Sequence, residues 1–508
     1  MRKPRNRTIR LSSADNVVMA LEEVSPGVEI EGGIVSRERI PRGHKIAVKE
    51  IAPGEPIRKY GQIIGFASTA IRAGEHVHVH NVEVHPFDRE YAIGVDVNET
   101  PFVPEAERDT FQGIMRPDGR IATRNYIGIL ATANCAAGVA RCIADRVKAD
   151  GLAAHSNIDG VVALGPPMGC GMAEASPGLL LLQKVLSGYA RHPNFSAILL
   201  VGLGCEINHV DCFLANTAIE AGPSFDVITI QQGGGTEKTI CQGIEKVRRM
   251  LPLANEAKRE PISVSHLICG LECGGSDAFS GLSANPALGQ AVDRLVRQGA
   301  TAILTETTEV YGAEHLLVRR AVSKEVGLKL IEAIRWWEDY TARNGAEINN
   351  NPTPGNKAGG ITTILEKSLA AATKGGTTNL VDVFRYGDRA QKRGLLFMDG
   401  PAYDPVSTTG LVAAGAHLIC FTTGRGTVCG STPAPTIKLV SNTETYRRMK
   451  GDMDVNCGAV IDGEVSIEEM GRMIYQLILD VASGKRTKSE LYGFGEESFQ
   501  PWYIGPIM

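Results

Sequence analysis

Five short apolar segments lie between residues 17 and 84, and turns containing glycine or proline separate them. Valine, isoleucine and other strong β formers dominate these segments, and a turn recurs about every 8–12 residues, as in small barrels and clip-like β modules. We therefore predict a β domain at residues 1–92. A linker is predicted at residues 93–110, where acidic residues and prolines interrupt any helical periodicity.

After residue 110, short apolar runs alternate with segments of helical periodicity. Strands that alternate with helices form βα units and assemble into mainly parallel sheets. The whole chain is too long for one hydrophobic core. We predict an α/β fold in which the first domain is followed by two α/β domains, at residues 111–258 and 259–508.

The stretch 267–289 combines an apolar run with two loops of small residues. Glu272, Cys273, Ser276 and Asp277 place a carboxyl group, a thiol, a hydroxyl and a second carboxyl group within six residues. A strand that enters such a loop is where open α/β sheets hold their ligands. The alternative is a tight turn whose polar groups cap the next helix.

Cysteines follow three of the predicted strands at equivalent points. Cys170, Cys205 and Cys273 each follow an apolar run that ends in a glycine-rich turn. A single free cysteine is commonly buried as a small apolar side chain. Three at equivalent positions predict loops that converge on one crevice.

Histidines alternate with valines near the end of the first domain. On a strand, His76, His78 and His80 would share one face, and His44 lies on a turn before an earlier strand. Imidazoles spaced in this way can bind one divalent cation. A solvated strand face is the alternative.

Several basic segments could bind an anion. Arg124 lies near the start of a predicted strand and helix, where a carboxylate site or a surface salt bridge is expected. Lys357 lies in a loop rich in glycine and proline, and Arg425 follows a strand that ends in threonines.

Composition narrows the class of protein. The 508 residues are 43% hydrophobic and 22% charged, with a formal net charge of −4, and they include an odd number of cysteines, 11. These values give no reason to expect binding to nucleic acid or membranes. The basic first residues lack the apolar segment of a secretory signal, so we expect a cytoplasmic protein with reduced thiols. Motifs for nucleotide cofactors and serine hydrolysis are missing.

The sequence resembles the altronate/galactarate dehydratase family over nearly its whole length. The resemblance rests on RGHKIAV, KYGQIIGFA, GEHVHVHN, DGRIATRN, GLGCE, LECGGSDAFSGLSANPALG, NPTPGNKAGGITTILEKSL and FTTGRGT. It implies that the first domain is an SAF-type (β-clip) domain and that the protein uses a divalent metal, Fe²⁺ or else Mn²⁺. The histidine strand is similar to altronate-type members, whereas DAFSGLSANPALG is closer to the galactarate type. Pro166 replaces the histidine of a His-x-x-Gly-Cys pattern found in the family.

The reaction implied is loss of water from an aldonic or aldaric acid, which gives a 2-keto-3-deoxy acid. A metal and cationic side chains would stabilise the enediolate, and an acid would protonate the departing hydroxyl. We also expect a homo-oligomer that binds a small sugar-acid substrate.

The resemblance and the loop chemistry together predict three sets of residues. The catalytic candidates are His44, Lys45, Glu272, Asp277 and Lys357. The substrate-binding candidates are Arg124, Asn125, Ser276, Asn285, Asn356, Thr423 and Arg425. The metal-binding candidates are His44, His78, His80, Cys170, Cys205, Glu206, Cys273 and Glu306. Glu309 is a further candidate ligand or acid–base group.

Two alternatives remain open. In the first, Cys170, Cys205 and Cys273 hold an iron–sulfur cluster in a dehydratase of a related hydroxy acid. In the second, the protein binds a sugar acid without converting it, an alternative motivated by Pro166.

Overall fold

The computed structural model describes residues 8–85 and 89–505. The first residues, on which the expectation about a secretory signal rests, lie outside this described part. So do residues 86–88 and 506–508.

The N-terminal domain consists of two small antiparallel sheets, with strand orders β1-β2-β3-β6 and β4-β5-β7. Its strands are β1 (Thr8–Ile9), β2 (Val17–Ala20), β3 (Lys45–Ala47), β4 (Pro56–Lys59), β5 (Gln62–Ala67), β6 (His76–Val77) and β7 (Val82–Glu83). Ile57, Ile64 and Val77 are buried in its core, which extends to Leu369 and Ala372 of the third domain. The first domain therefore packs directly on the third.

The segment after the first domain contains no long element and follows the surface of the third domain. Gly94 and Asp96 bond through their backbone nitrogens to the carbonyls of Val318 and Arg319. Asp96 also forms an ion pair with Arg319.

The second domain contains a four-stranded parallel sheet of order β11-β10-β12-β13. Its strands are β10 (Tyr126–Ala131), β11 (Gly160–Leu164), β12 (Phe195–Gly202) and β13 (Phe225–Thr229). Its helices are α1 (Asn134–Ala149), α2 (Pro177–Ala190), α3 (Val210–Thr217) and α4 (Thr236–Asn255). At the border with the third domain, β8 (Thr110–Met115), β9 (Ile121–Ala122) and β14 (Arg259–Ser263) form a small antiparallel sheet.

The third domain contains a seven-stranded parallel sheet of order β17-β18-β16-β15-β19-β20-β21. Its strands are β15 (Ile268–Cys273), β16 (Thr301–Leu304), β17 (Leu380–Phe384), β18 (Gly394–Met398), β19 (Leu418–Thr423), β20 (Thr436–Val440) and β21 (Val455–Asn456). The central strands are almost entirely buried because helices cover both faces of the sheet.

The helices of the third domain pack on its sheet and contribute apolar faces to the core. They are α5 (Ala284–Arg297), α6 (Glu314–Val318), α7 (Lys324–Arg343), α8 (Pro354–Ala358), α9 (Ile364–Ala372), α10 (Asp404–Ala413), α11 (Thr443–Arg448), α12 (Gly458–Ile461), α13 (Ile467–Ala482) and α14 (Lys488–Tyr492). In α13, Met470, Ile474 and Ile478 recur every four residues and are buried, so one face of this amphipathic helix joins the core.

Helices α2 and α10 join the second and third domains. Gly188, near the end of α2, packs against Ala413 at the end of α10. The C-terminal segment runs back from Thr409, which bonds to Ser498, toward Gly178 in the first turn of α2. The ends of the two helices therefore meet between the domains, and the C-terminal segment contacts both helices.

These features confirm the predicted α/β fold, with a small β domain followed by two domains built on mainly parallel sheets. Among the described helices, none has the length and apolar character needed to cross a membrane. The predicted domain boundaries and the cytoplasmic location stay predictions.

Candidate active site

Three imidazoles of the first domain meet where that domain faces the third. His44 Nδ1 lies 2.9 Å from His76 Nε2, and the ring centroids of His44 and His78 are 4.5 Å apart. One ring nitrogen of each residue lies within 4.8 Å of the others, and the buried Nδ1 of His78 has no hydrogen-bond partner. Burial lowers the pKa of His76 and His78 to about 3, so both rings are neutral at neutral pH. This histidine group suits a divalent transition-metal ion.

His80, predicted as a ligand, lies outside the histidine group. Strand β6 ends at Val77, and the turn that follows is closed by Asn81, whose backbone nitrogen donates to the His78 carbonyl at 3.0 Å. The turn carries His80 to the exposed surface, and His76 takes its place. The alternation of histidine and valine does not continue as strand geometry.

The histidine group lies against the loop that follows α8. His44 Nε2 is 3.5 Å from the carbonyl oxygen of Ala358. A Cβ at Gly360 would overlap the carbonyl oxygen of Gly43, so this close contact between the domains requires glycine. Lys357, half-buried on α8, is the chain neighbour of Ala358.

A second group lies at the carboxyl ends of β15 and β16. Lys374 Nζ donates to Cys273 Sγ and to Glu306 Oε2, each at 2.7 Å, and Lys367 Nζ donates to Glu309 Oε1 at 2.6 Å. These five side chains, here called the buried charge cluster, are each no more than 4% exposed. Charges that are shielded from water in this way must each be paired with an opposite charge.

The cluster already contains its counter-ions. Burial lowers the pKa of Lys374, but the surrounding carboxylates and thiol raise it more, so the ammonium persists. Burial raises the pKa of Cys273 well above its ordinary value, and the thiol lies 3.1 Å from Glu309 Oε2, to which it donates. Cys273, Glu306 and Glu309 are close enough to hold a metal. The two ammonium groups nevertheless make this group a poorer cation site than the histidine group.

Glu272 adjoins the buried charge cluster. Burial and the charge of Glu306 raise the pKa of Glu272 well above its ordinary value. Oε1 of Glu272 and Oε1 of Glu306 are buried and have no hydrogen-bond partner. Ser407 Oγ donates to the other Glu272 oxygen at 2.6 Å.

Asp404 adds a carboxyl group that the sequence reasoning missed. It begins α10 and packs against Gly274, where a Cβ would overlap its carboxylate. Burial and the charges of Glu306 and Glu309 raise the pKa of Asp404 to about 7. Unlike the cluster, Asp404 is partly exposed. A carboxyl group that titrates near neutrality can both accept and donate a proton under working conditions.

The two cluster lysines were also missed, and His76 was noted in the histidine pattern but left out of the metal-binding candidates. A signal for the lysines was present. Lys367 and Lys374 lie in and just after α9, which is otherwise rich in alanine and leucine and is buried on all sides. Charged residues in such a helix need buried partners.

Asp277, predicted as catalytic, holds the loop that follows β15. Its carboxylate accepts from Ser441 Oγ at 2.7 Å, Ser280 Oγ at 3.0 Å and Asn442 Nδ2 at 3.0 Å. These bonds fix the loop 274–280 against the end of β20. Asp277 therefore positions this loop, and the structure gives it no catalytic contact of its own among the described residues.

Of the predicted substrate-binding residues of the third domain, four are buried and one, Arg425, is exposed. Asn356, Ser276, Thr423 and Asn285 are buried. Asn356 Nδ2 donates to the carbonyl of Ser276 at 2.8 Å, and Thr423 Oγ1 accepts from the nitrogen of Gly426 at 3.0 Å. Arg425 is exposed and its backbone nitrogen donates to Gly275 at 2.9 Å, so its side chain starts beside the same loop.

Lys45, predicted as a base or an enolate stabiliser, is fully buried. Its Nζ donates to the Gly360 carbonyl at 2.7 Å and to the Glu366 carboxylate at 2.8 Å and 3.0 Å. Burial lowers the pKa of Lys45 to about 8. With its donors engaged, Lys45 connects the domains and does not reach a substrate.

Arg124 and Asn125 also differ from their predicted role. Arg124 donates to Glu490 and to the carbonyls of Thr123, Val481 and Lys485, which uses all five of its N–H groups. Asn125 is buried and fully hydrogen-bonded. Neither side chain retains a donor for a substrate carboxylate.

The predicted cysteine set is divided between two domains. Cys170 and Cys205 are exposed on the second domain, whereas Cys273 is enclosed in the buried charge cluster of the third. Glu206, predicted as a ligand, is buried and accepts from Thr132 Oγ1 at 2.6 Å and from two backbone nitrogens. Pro166 is buried at the start of the loop that carries Cys170.

The fold and this geometry define an α/β enzyme in which a small β domain covers the carboxyl edge of a parallel sheet. Three sequence profiles match successive parts of the chain. They are described as the altronate/galactarate dehydratase SAF domain, at residues 6–85, the D-galactarate dehydratase/altronate hydrolase second domain, at 113–255, and the D-galactarate/altronate dehydratase C-terminal domain, at 264–507.

Three characterised proteins are similar along almost their whole length. An altronate dehydratase of Escherichia coli is 36% identical over 492 residues, which cover 96% of this chain and 97% of the relative. A galactarate dehydratase (L-threo-forming) of the same species is 36% identical, covering 96% and 94%. An altronate dehydratase of Bacillus subtilis is 35% identical, covering 96% and 97%.

The chain belongs to the altronate/galactarate dehydratase family. The family resemblance, the SAF domain and the enzyme class, hydro-lyase, are thereby confirmed. The structure adds two groups of side chains in its described part that could hold a metal ion.

Proposed function

We propose that this protein removes water from a sugar acid of the altronate or galactarate type and releases a 2-keto-3-deoxy acid. The relatives that match it over nearly their full length carry those two substrates in their names. The observation that carries the proposal is the arrangement at the carboxyl edge of the third-domain sheet. There, a carboxyl group with a pKa of about 7 adjoins a buried charge cluster, and three neutral imidazoles face the neighbouring loops.

A divalent cation completes this proposal, with Fe²⁺ as the first choice and Mn²⁺ as the second. His44, His76 and His78 would hold it, because one ring nitrogen of each lies within 4.8 Å of the others and the buried Nδ1 of His78 has no partner. Bound there, the cation would polarise the substrate carboxylate and 2-hydroxyl and make the neighbouring C–H group more acidic.

The cationic residues at the edge of the crevice have the right chemistry to bind the acid. Lys357 lies beside the histidine group, and Arg425 starts beside Gly275. A guanidinium matches a carboxylate with two parallel hydrogen bonds. We assign them to binding the substrate carboxylates.

Asp404 is our candidate for proton transfer. Removal of the C2 proton and protonation of the departing 3-hydroxyl both need a group that exchanges a proton near neutrality. Burial also raises the pKa of Glu272 and Glu306, and the charge of Glu306 raises the pKa of Asp404. Lys367 and Lys374 stay protonated and provide fixed positive charge where negative charge develops on the substrate.

The experiment is an anaerobic 2-keto-acid assay on a panel of aldonates and aldarates, with and without Fe²⁺ or Mn²⁺. We expect metal-dependent keto-acid formation from one or two members of the panel. His78→Ala should lose bound metal and lower kcat/KM at least 100-fold, because a ligand is removed. His80→Ala, a histidine two residues away and outside the group, is the matched control and should keep both.

Two results would overturn the proposal. If folded, metal-loaded protein converts no member of the panel, the proposed activity is wrong. If His78→Ala and His80→Ala lose equal amounts of metal and of kcat/KM, the assignment of the metal to the histidine group is wrong, but the proposed activity stands.

A further inference from the structure

Three exposed thiols lie at the carboxyl edge of the second-domain sheet. Cys135 follows β10, Cys170 follows β11 and Cys205 follows β12, and these strands are neighbours in the order β11-β10-β12. Free cysteines are usually buried. An exposed thiol at the same end of three adjacent strands therefore needs an explanation.

Asn208 joins the three loops that carry these thiols. It lies in the Cys205 loop, its backbone nitrogen donates to the Gly169 carbonyl at 3.1 Å, and its side chain donates to the Thr132 carbonyl at 2.8 Å. Gly169 is the neighbour of Cys170, and Thr132 is three residues before Cys135. One residue, through its backbone and its side chain, thus holds the loops together within a few residues of each thiol.

Two further contacts keep the loops in place. Thr132 Oγ1 donates to Glu206 at 2.6 Å, which links the Cys135 and Cys205 loops a second time. Gly169 has φ of +111°, and a Cβ there would overlap Ala133 and the Thr132 carbonyl. The Cys135 and Cys170 loops therefore approach as closely as backbone atoms allow. Such bracing fixes the loops in one arrangement rather than leaving three independent surface turns.

The spacing of the thiols argues against a single ion. In the part of the chain that the structure describes, the ligand sets with atoms within 4.8 Å of one another are the histidine group and the Cys273 group. The three thiols of the second domain are therefore more widely spaced. A cluster does not need thiols within this distance, because its thiolate ligands bind different iron atoms.

We propose that Cys135, Cys170 and Cys205 bind an iron–sulfur cluster of the [4Fe–4S] type. Thiolates are the usual ligands of these clusters, and three of them leave one iron open to an oxygen ligand. All eleven cysteines are free thiols in the structure, so none of the three is consumed by a disulfide. Helix α1 begins at Asn134, which places the positive end of its dipole beside an anionic cluster. The proposal does not depend on which sugar acid is the substrate.

The test is iron and acid-labile sulfide analysis, with visible absorption spectra, of the full-length protein purified without oxygen and reconstituted with Fe²⁺ and sulfide. We expect about four sulfides and about five irons per chain, about four irons in the cluster and one at the histidine group, together with a broad visible charge-transfer band. The single variants Cys135→Ser, Cys170→Ser and Cys205→Ser should each lose most of the sulfide and the band. Because these side chains are exposed, thermal unfolding of the apoprotein variants should match that of the wild-type apoprotein.

Cys142→Ser and Cys241→Ser are matched controls, since both cysteines are exposed on helices of the same domain. They should keep the full cluster content. The proposal is overturned if reconstituted wild type holds no labile sulfide, if it binds metal without sulfide, or if the three loop variants keep as much cluster as the controls.

Discussion

Glu306 combines backbone strain with a buried ion pair. Its φ of 71° lies in the left-handed region, which non-glycine residues seldom adopt. Strain of this kind costs about 1–3 kcal/mol and persists where surrounding contacts enforce it. Here the contacts are the ammonium group of Lys374 and the backbone nitrogen of Cys273, which both donate to Glu306 Oε2. The conformation points the carboxylate back toward the end of β15, where it meets the thiol.

Asp404→Asn should change how stability depends on pH. Burial and two nearby carboxylates raise the pKa of Asp404 to about 7 from an ordinary value of 3.8. Between those values the folded protein holds a proton that the unfolded chain has lost, so this residue makes stability fall as pH rises from about 4 to about 7. Because the asparagine cannot ionise, the variant avoids this fall in the free energy of unfolding. It should be more stable than wild type at pH 8, by about 2–4 kcal/mol. Denaturant unfolding at several pH values measures the difference.

The advantage of Asp404→Asn should shrink toward zero near pH 4, where both side chains are neutral. Asp211→Asn is the control, because Asp211 lies in the first turn of α3 but is exposed. A gain in stability for Asp404→Asn that is the same at pH 4 and pH 8 would contradict the account.

Residue types could be predicted from the sequence, but their environments could not. The family motifs pointed to His44, Glu272, Cys273 and Glu306, all of which lie in or beside the two groups. Arg124 carries the same charge as Arg425, yet only the folded chain shows that Glu490 and three carbonyls consume its donors. Asp404 precedes an ordinary-looking helix, and its pKa depends on carboxylates about a hundred residues away in sequence.

At the level of elements, α9 connects the first and third domains through a buried ion triad. Glu366 accepts from Lys45 at 2.8 Å and from Lys59 at 2.9 Å, and all three side chains are almost fully buried. Burial raises the pKa of Glu366, but the two ammonium groups lower it by a larger amount, so the net shift of this pKa is downward. The first domain is therefore held over the third by charge as well as by apolar packing.

Glu366→Gln should destabilise the protein strongly. The substitution leaves two buried ammonium groups without a carboxylate, and breaking a buried ion pair in this way typically costs 3–5 kcal/mol. Denaturant unfolding at pH 7 would measure it. Glu23→Gln removes the carboxylate of an exposed pair with Arg39 in the same domain and is the control.

A midpoint for Glu366→Gln equal to that of Glu23→Gln would contradict the role given to α9. Strand and helix types were predictable for this region from periodicity. The triad was not, because Lys45 and Glu366 are separated by 321 positions and nothing local indicates their pairing.

At the scale of the molecule, the second and third domains each contain a parallel sheet, and the end of α2 packs on the end of α10 between them. The βα pattern predicted the parallel sheets, since it requires crossover helices. It could not predict that the cysteines would be divided, with Cys273 in one sheet and Cys170 and Cys205 at the edge of the other.

The placement of the first domain follows from contacts, not from its own strand pattern. Its histidine group faces the loop after α8, and its lysines reach α9. A substrate bound at the carboxyl edge of the third-domain sheet would therefore meet side chains from both domains. The roles assigned to these side chains all depend on the reaction being an elimination of water.

The most direct measurement is the isotopic content of the product formed in D₂O. Loss of the C2 hydrogen and the 3-hydroxyl gives an enol, which becomes the keto acid by taking a proton from solvent at C3. We predict a 2-keto-3-deoxy acid with one deuterium at C3, observed by NMR and mass spectrometry. A product that keeps all its hydroxyl groups, or a keto acid without solvent deuterium at C3, would contradict the proposed dehydration.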